Sequence, residues 1–351
     1  MAAGWSGTVE AALPMSAQGS NPSEESRFPF VLPAEGPLAP LAGAIPPAPD
    51  WFHRIVAIEP ESGQADVDGA RIHYLRWGDK AKPGLLLVHG NAAHAAWWSF
   101  IAPFLASDYN VAAMDLSGMG DSDWRKTYAM EGFVAEQLAV CESSGMFAVA
   151  EPPIIVGHSF GGFVTMLTGA LHGDRLAGTV IVDSPVNPPD RPGGPPKREL
   201  KPHKVYPDMA AALARFRLLP PQPCENLYLV DWVARRSLKP VEGGYTWKFD
   251  PAIWQRFSIG DTAARLKATK CRIAIFRGEK SILMPPQIGE YMFNLLGRAA
   301  PVVSIPEAQH HVMLDQPLAL VAALRALLAD WNHSVATRRS AGRLPPESAL
   351  L

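Results

Sequence analysis

One nine-residue stretch constrains this chain more than any other. Ile154-Ile155-Val156-Gly157-His158-Ser159-Phe160-Gly161-Gly162 passes from an apolar, strand-like run into a segment with helical spacing. A strand that turns so sharply into a helix forces Ser159 into a strained backbone conformation. Glycines at 157 and 161 remove side chains that would collide in such a turn. The serine then stands at a helix N-terminus, where backbone N–H groups and the helix dipole favour developing negative charge. Read blandly, G-x-S-x-G is a glycine-rich loop; the flanking strand and helix favour the reactive reading.

The surrounding pattern says what such a turn is embedded in. Arg54–Glu59 and Ala70–Trp77 read as two strands of a hairpin turned near Asp68-Gly69 or earlier in that polar stretch. Leu85–His89, Val111–Met114, Ile154–Val156, Thr179–Val182, Ile273–Phe276 and Val302–Ile305 are short apolar runs suited to strands buried on both faces. Ala129–Ser143, Gly161–His172 and Leu318–Trp331 show helical spacing between them. This alternation predicts an α/β fold: a mostly parallel eight-stranded sheet with helices on both faces. The alternation breaks once, over 185–266, after the sixth strand. There a Pro/Gly-rich entrance precedes helices expected at Asp208–Leu218, Glu225–Leu238 and Ala252–Leu266, the last with Asp250 as N-cap and Pro251 at the first position. The expected organisation is therefore a core of 51–184 and 267–333 with a helical cap at 185–266. Residues 1–50, with seven prolines between Pro29 and Pro49, read as an arm or tail, and 334–351 as a second tail.

With these motifs in order, the chain resembles the α/β-hydrolase superfamily, in its serine-nucleophile, esterase-like branch with a cap domain. The resemblance covers about residues 54–332. It reads G-x-S-x-G as a nucleophile elbow with Ser159 as nucleophile. Leu85-Leu86-Leu87-Val88-His89-Gly90-Asn91 resembles the strand and His-Gly that precede an oxyanion donor, so the N–H groups of Asn91 and Phe160 are the expected oxyanion hole, and His89 is expected to brace the loop. Asp115-Leu116-Ser117-Gly118-Met119-Gly120-Asp121-Ser122 resembles the family's D-x-x-G-x-G-x-S turn, a marker of the fold. Pro306 to Pro317 resembles the loop of the catalytic histidine. Its Asp315-Gln316-Pro317 ending aligns His310 as the base, with His311 the alternative because Gln309 stands where glycine is common.

The acid is less direct. Many relatives carry it after the seventh strand in a G-x-x-D pattern, but Gly278-Glu279-Lys280-Ser281 puts Ser281 there, and serine cannot stabilise an imidazolium as a carboxylate does. Asp183, which ends the sixth strand, resembles the acid of relatives that use that position, some haloalkane dehalogenases among them. Glu279 is the alternative, and a strand-end capping role the plainer reading of Asp183.

A serine nucleophile forms an acyl-enzyme, so the resemblance implies hydrolysis of a carboxylic ester, with arylamide or carbon–carbon bond hydrolysis as alternatives and a non-catalytic binding relative as a remote one. A carboxylate nucleophile, which dehalogenase and epoxide hydrolase chemistry needs, is not what the elbow carries. Trp97, Trp98, Trp232 and Trp254 are candidates to line the substrate pocket, with Tyr228, Tyr245, Trp247 and Phe257 as further aromatics of the cap; packing inside the cap is an equal reading for each. Together they favour an apolar or aromatic small-molecule substrate.

A formal charge of −2 argues against a polyanion-binding surface, so nucleic acid is not an expected partner. Three scattered cysteines (Cys141, Cys224, Cys271), histidines without ligand spacing and the lack of G-x-G-x-x-G imply free thiols, no metal and no cofactor. With neither a secretory signal pattern nor a membrane-spanning run, the expected location is cytoplasmic.

Overall fold

The structure, a computed structural model, describes residues 35–190, 202–254 and 258–341. The expected roof residue Phe257, part of the cap entrance and most of both tails lie outside the described residues. From Glu35 the chain lies along the cap: Leu38 is buried, Gly36 N–H donates to the Ala214 carbonyl (2.9 Å) and Arg235 to the Gly43 carbonyl (2.8 Å). Helix α1 (Asp50–Val56) follows and buries Phe52. The strand expected at Arg54–Glu59 is thus wrong: Trp51, Phe52, Ile55 and Val56 are spaced for a helical face and pack against the core.

Strands β1 (Glu61–Val67) and β2 (Ala70–Trp77) form an antiparallel hairpin. Asp68 (φ 47°) and Gly69 (φ 77°) make its two-residue turn, as a tight hairpin requires of positive φ. Next come β3 (Gly84–Val88), β4 (Asn110–Met114), helix α2 (Met130–Ser143), β5 (Ile154–His158), α3 (Phe160–His172) and β6 (Gly178–Val182). After β6 the inserted cap carries α4 (Met209–Leu213), α5 (Leu227–Arg236) and an antiparallel hairpin, β7 (Leu238–Val241) with β8 (Gly244–Trp247). Helix α6 (Thr262–Lys267) packs against α3, and β9 (Arg272–Gly278), α7 (Pro286–Leu295), β10 (Val302–Ile305), α8 (Val312–Asp315) and α9 (Pro317–Ala341) complete the chain.

The main sheet has eight strands in the order β1-β2-β4-β3-β5-β6-β9-β10, parallel from β4 onward, as the alternation predicts. Strands β3 to β6 are buried along their whole length, which is why they read as unbroken apolar runs.

The insertion differs from expectation: the helix expected at Asp208–Leu218 is confined to Met209–Leu213, and the β7–β8 hairpin follows α5. The single helix at Ala252–Leu266 is instead a short 3-10 turn (Pro251–Trp254) and, separately, α6, capped by Asp261, whose carboxylate accepts from Ala264 N–H at 2.9 Å. Gly260, at φ +75°, stops a helix from running through. Asp250 still caps its turn, accepting from Ala252 N–H at 2.8 Å. The last helix also continues past Ser334 to Ala341, where a tail was expected.

The register decides what meets what. Val88 pairs with Gly157, His158 with Val182 and Val182 with Phe276. The loops after β3, β5, β6 and β9 therefore leave one edge of the sheet together, where parallel α/β sheets assemble their sites.

Candidate active site

Ser159 sits between β5 and α3 at φ 51°, ψ −116°, a conformation an L-residue rarely adopts. Its N–H donates to the Val182 carbonyl (2.9 Å), and the Ser159 carbonyl accepts from Gly162 N–H (3.0 Å). The flanking glycines are sterically required. A Cβ on Gly157 would lie 2.4 Å from Thr165 Oγ1, and one on Gly161 would lie 2.4 Å from the His89 carbonyl oxygen. Helix α3 thus starts against the loop that carries Asn91.

His310 arrives from the loop between β10 and α8, with its ring almost fully buried. Its Nδ1 lies 2.8 Å from Asp183 Oδ1 and its Nε2 lies 3.0 Å from Ser159 Oγ. The carboxylate can only accept, which puts the proton on Nδ1 and leaves Nε2 bare to accept the serine hydroxyl. Asp183, at φ 47°, is completely buried yet fully served: it also accepts Gly278 N–H at Oδ2 (2.7 Å) and the Ser281 hydroxyl at Oδ1 (2.6 Å). So the structure brings Ser159, His310 and Asp183 into one line, and the serine at the position where many relatives carry the acid hydrogen-bonds the aspartate.

The alternatives lie elsewhere. Glu279 is exposed, and its carboxylate accepts the Glu307 N–H (2.9 Å) on the far side of the loop. His311 is buried against Trp97 (ring centroids 5.4 Å apart), and the ring of His310, not of His311, joins Ser159 to Asp183. Burial, reinforced by the proximity of His310, holds His158 and His311 well below the usual imidazole range, hence neutral.

The loop that carries Asn91 is braced by His89. His89 accepts Leu116 N–H at Nε2 (3.1 Å) and its Nδ1 donates to the Gly90 carbonyl (2.7 Å), a buried neutral ring between two loops. Asn91 follows on the surface, and Phe160 opens α3 from a buried position against Phe133. Met119 Sδ accepts Ala92 N–H (3.2 Å), which sets a thioether beside that loop. Asp115 takes no part in the line: it accepts from Ala95 N–H (2.5 Å), Asp121 N–H (2.9 Å) and His73 (2.7 Å), and its hydrogen bond with His73 holds its pKa down to about 2 against burial.

Of the candidate pocket residues, Trp97 and Trp98 belong to the hydrophobic core, Trp98 with no exposure at all. Trp232 donates to Ser99 Oγ (2.8 Å), meets Phe52 edge-on (5.4 Å) and lies under Arg236 (3.1 Å). Trp254 ends the 3-10 turn beside Ile253, which packs with Met119 and Phe160. Three ligand atoms come within 4.8 Å of one another in two places among the described residues, at His158, His310 and His311 and at His73, Asp115 and Asp121. Sequence spacing gives no hint of either. No helix among the described residues is long and apolar enough to cross a membrane.

Sequence reasoning missed the groups that hold the histidine loop. Gln222, in the loop between α4 and α5, contacts both Asp315 and the His311 N–H. Its position in a proline-rich stretch of the cap carries no motif that would mark it.

The profile of the Alpha/beta hydrolase family matches residues 85–324. Lipase LipV of Mycobacterium tuberculosis is 32% identical over 115 residues, 33% of this chain and 42% of that protein. Epoxide hydrolase 4 of Mus musculus is 27% identical over 120 residues, 33% of this chain and 32% of that protein. The chain thus spans less than half the length of these curated relatives. Among solved structures, E-2-(acetamidomethylene)succinate hydrolase superposes with a TM-score of 0.65 at 19% identity, covering 77% of this chain and all of that one.

Proposed function

The chain belongs to the alpha/beta hydrolase family, and from that premise we propose that it is a serine hydrolase acting on a carboxylic ester of an apolar or aromatic small molecule. One observation carries the reading. Ser159 Oγ, His310 and Asp183 are joined at 3.0 and 2.8 Å, in the tautomer that leaves Nε2 free to accept a proton, at a strained helix N-terminus.

In the proposed reaction Ser159 attacks the substrate carbonyl while His310 Nε2 takes its proton. The negative oxygen of the tetrahedral intermediate accepts from the Asn91 and Phe160 N–H groups; loss of one such donor typically costs about 3–4 kcal/mol. His310 passes the proton to the leaving group, and the acyl-enzyme is then hydrolysed by a water that His310 activates. Asp183 holds the ring and stabilises the imidazolium without taking its proton.

The apolar substrate is supported by the apolar cluster that Phe160, next to the nucleophile, joins together with Met119 and Ile253. A serine at 159 also separates this chain from chemistry that runs through a carboxylate nucleophile. Arylamides and carbon–carbon bonds would use the same machinery and belong in the same assay. A fluorophosphonate should label the protein at Ser159 alone, and Ser159→Ala should lose both labelling and turnover over a panel of esters, anilides and vinylogous diketones. Label on another residue, or activity retained by the alanine variant, would sink the reading.

A further inference from the structure

The loop that presents His310 is held from both sides, and one of the holders belongs to the cap. Gln309 N–H, just before the histidine, donates to Asp315 Oδ2 (2.7 Å). His311 N–H, just after it, donates to Gln222 Oε1 (3.0 Å). The amide of that same Gln222 donates to Asp315 at 3.0 and 2.9 Å, which closes a ring of hydrogen bonds around the peptide groups flanking His310. The His310 carbonyl is fixed separately by His158 Nε2 (2.9 Å). Next to Gln222 the strap continues: Gln309 Nε2 donates to the Pro223 carbonyl (3.2 Å), and Asn226 to the carbonyls of Leu314 (2.8 Å) and Asp315 (3.0 Å).

We propose that Gln222 is a positioning residue for His310, a cap side chain that sets the aim of the base by bridging the backbone after it to the carboxylate that holds the backbone before it. The inference rests on the serine-hydrolase reading and goes beyond it, because it gives the cap a role in the chemistry as well as in enclosing substrate. Small errors in the placement of a base matter: a displacement of 1 Å can cost about a hundredfold in rate.

The charge state of the ring follows from its surroundings. Burial raises the Asp315 pKa to about 6, against the hydrogen bonds from Gln309 and Gln222 that pull it down. The titratable groups around it are Cys224 and Glu225 on the strap, His310 and His311 on its own loop, and His158 from the elbow. Gln222→Glu keeps the acceptor for His311 N–H but sets a second carboxyl against Asp315. At pH 6 the pair shares a proton and reproduces the wild-type pattern; with rising pH both ionise and repel.

The test measures the rate of fluorophosphonate labelling at Ser159 in the full chain from pH 5.5 to 9, with melting temperatures for each variant. Gln222→Leu should lower the maximal labelling rate about 10–100-fold, with the probe's binding constant within twofold. Gln222→Glu should stay near wild type at pH 6, its ratio to the wild-type rate falling progressively towards pH 9. Wild-type rates in both variants, or a Gln222→Glu ratio that does not change with pH, overturn the proposal. If Gln222→Leu fails to fold, the pH dependence of the glutamate variant still decides. If the wild-type protein is not labelled at Ser159, the serine-hydrolase reading fails and takes this inference with it; Ser159-dependent labelling that ignores Gln222 refutes the positioning role alone.

Discussion

Replacing Asp183 by asparagine tests the proposed line at its least exposed point, and the structure dictates how the new side chain must sit. The carboxylate serves three donors: Gly278 N–H at Oδ2, and His310 Nδ1 and the Ser281 hydroxyl at Oδ1. An amide has one oxygen and one NH₂. Set at Oδ1, the NH₂ faces His310 and Ser281; set at Oδ2, it faces the Gly278 N–H. A backbone N–H cannot turn away, whereas a hydroxyl can rotate and accept and an imidazole can move its proton. The introduced amide therefore keeps its oxygen towards Gly278 and its NH₂ towards His310. The ring responds by carrying its proton on Nε2, facing Ser159, where it cannot accept the serine proton. In serine proteases the equivalent exchange lowers kcat about 10⁴-fold, or about 5 kcal/mol of transition-state stabilisation. We expect a loss of that order for Asp183→Asn in ester hydrolysis and in labelling at Ser159, with the variant still folded. Glu279→Gln, whose carboxylate only accepts a loop N–H, should remain within a few-fold of wild type. A loss of less than tenfold for Asp183→Asn, or the reverse ranking of the two variants, would refute the reasoning.

Further outcomes follow from packing and burial. Trp232 is held by Ser99, Phe52 and Arg236, so Trp232→Ala should cost about 2–4 kcal/mol of stability and leave the ratio of kcat/KM for small and bulky esters unchanged; a shifted ratio at an unchanged melting temperature would make it a pocket residue instead. His94 is buried and bonded to the Val233 carbonyl and Ser237, and burial pushes its pKa down to about 4. Because the folded value is depressed, its contribution is present above the unfolded value of 6.5 and is lost as pH falls towards 4, a change of about 3 kcal/mol. His94→Gln should flatten the acid side of the urea-unfolding stability profile by about that amount, and an unaltered slope would count against it.

What could be read from the sequence depended on how local the signal was. Ser159 and its glycines occupy one continuous stretch, and the strands around them were legible because burial on both faces leaves an unmistakable apolar run. His310 was legible from the ending of its loop. Helix α1 was misread because six residues of mixed character fit either period, and the tertiary contact of Phe52 with the cap decides between them. The insertion was the least legible part: its short elements are set by contacts with the arm and the core, and Gly260 breaks a helical pattern that Asp250-Pro251 starts well. Gln222 shows the limit most plainly, since its partner Asp315 is 93 residues away and neither side chain's role is visible without the other.

The pairing of Val182 with Phe276 means that β6 and β9 end side by side. Two chain positions nearly a hundred residues apart, Asp183 and Ser281, thereby become neighbours, the Ser281 hydroxyl 2.6 Å from the Asp183 oxygen that also meets His310 Nδ1. In the proposed line the acid could therefore stand at either of two strand ends, whereas the nucleophile and base have one place each. A substitution that removes the carboxylate at one address leaves a vacancy the other can fill by a single change, with the histidine, the serine and the sheet untouched. On the proposed reading, a search for the acid in a chain of this fold has to inspect both strand ends.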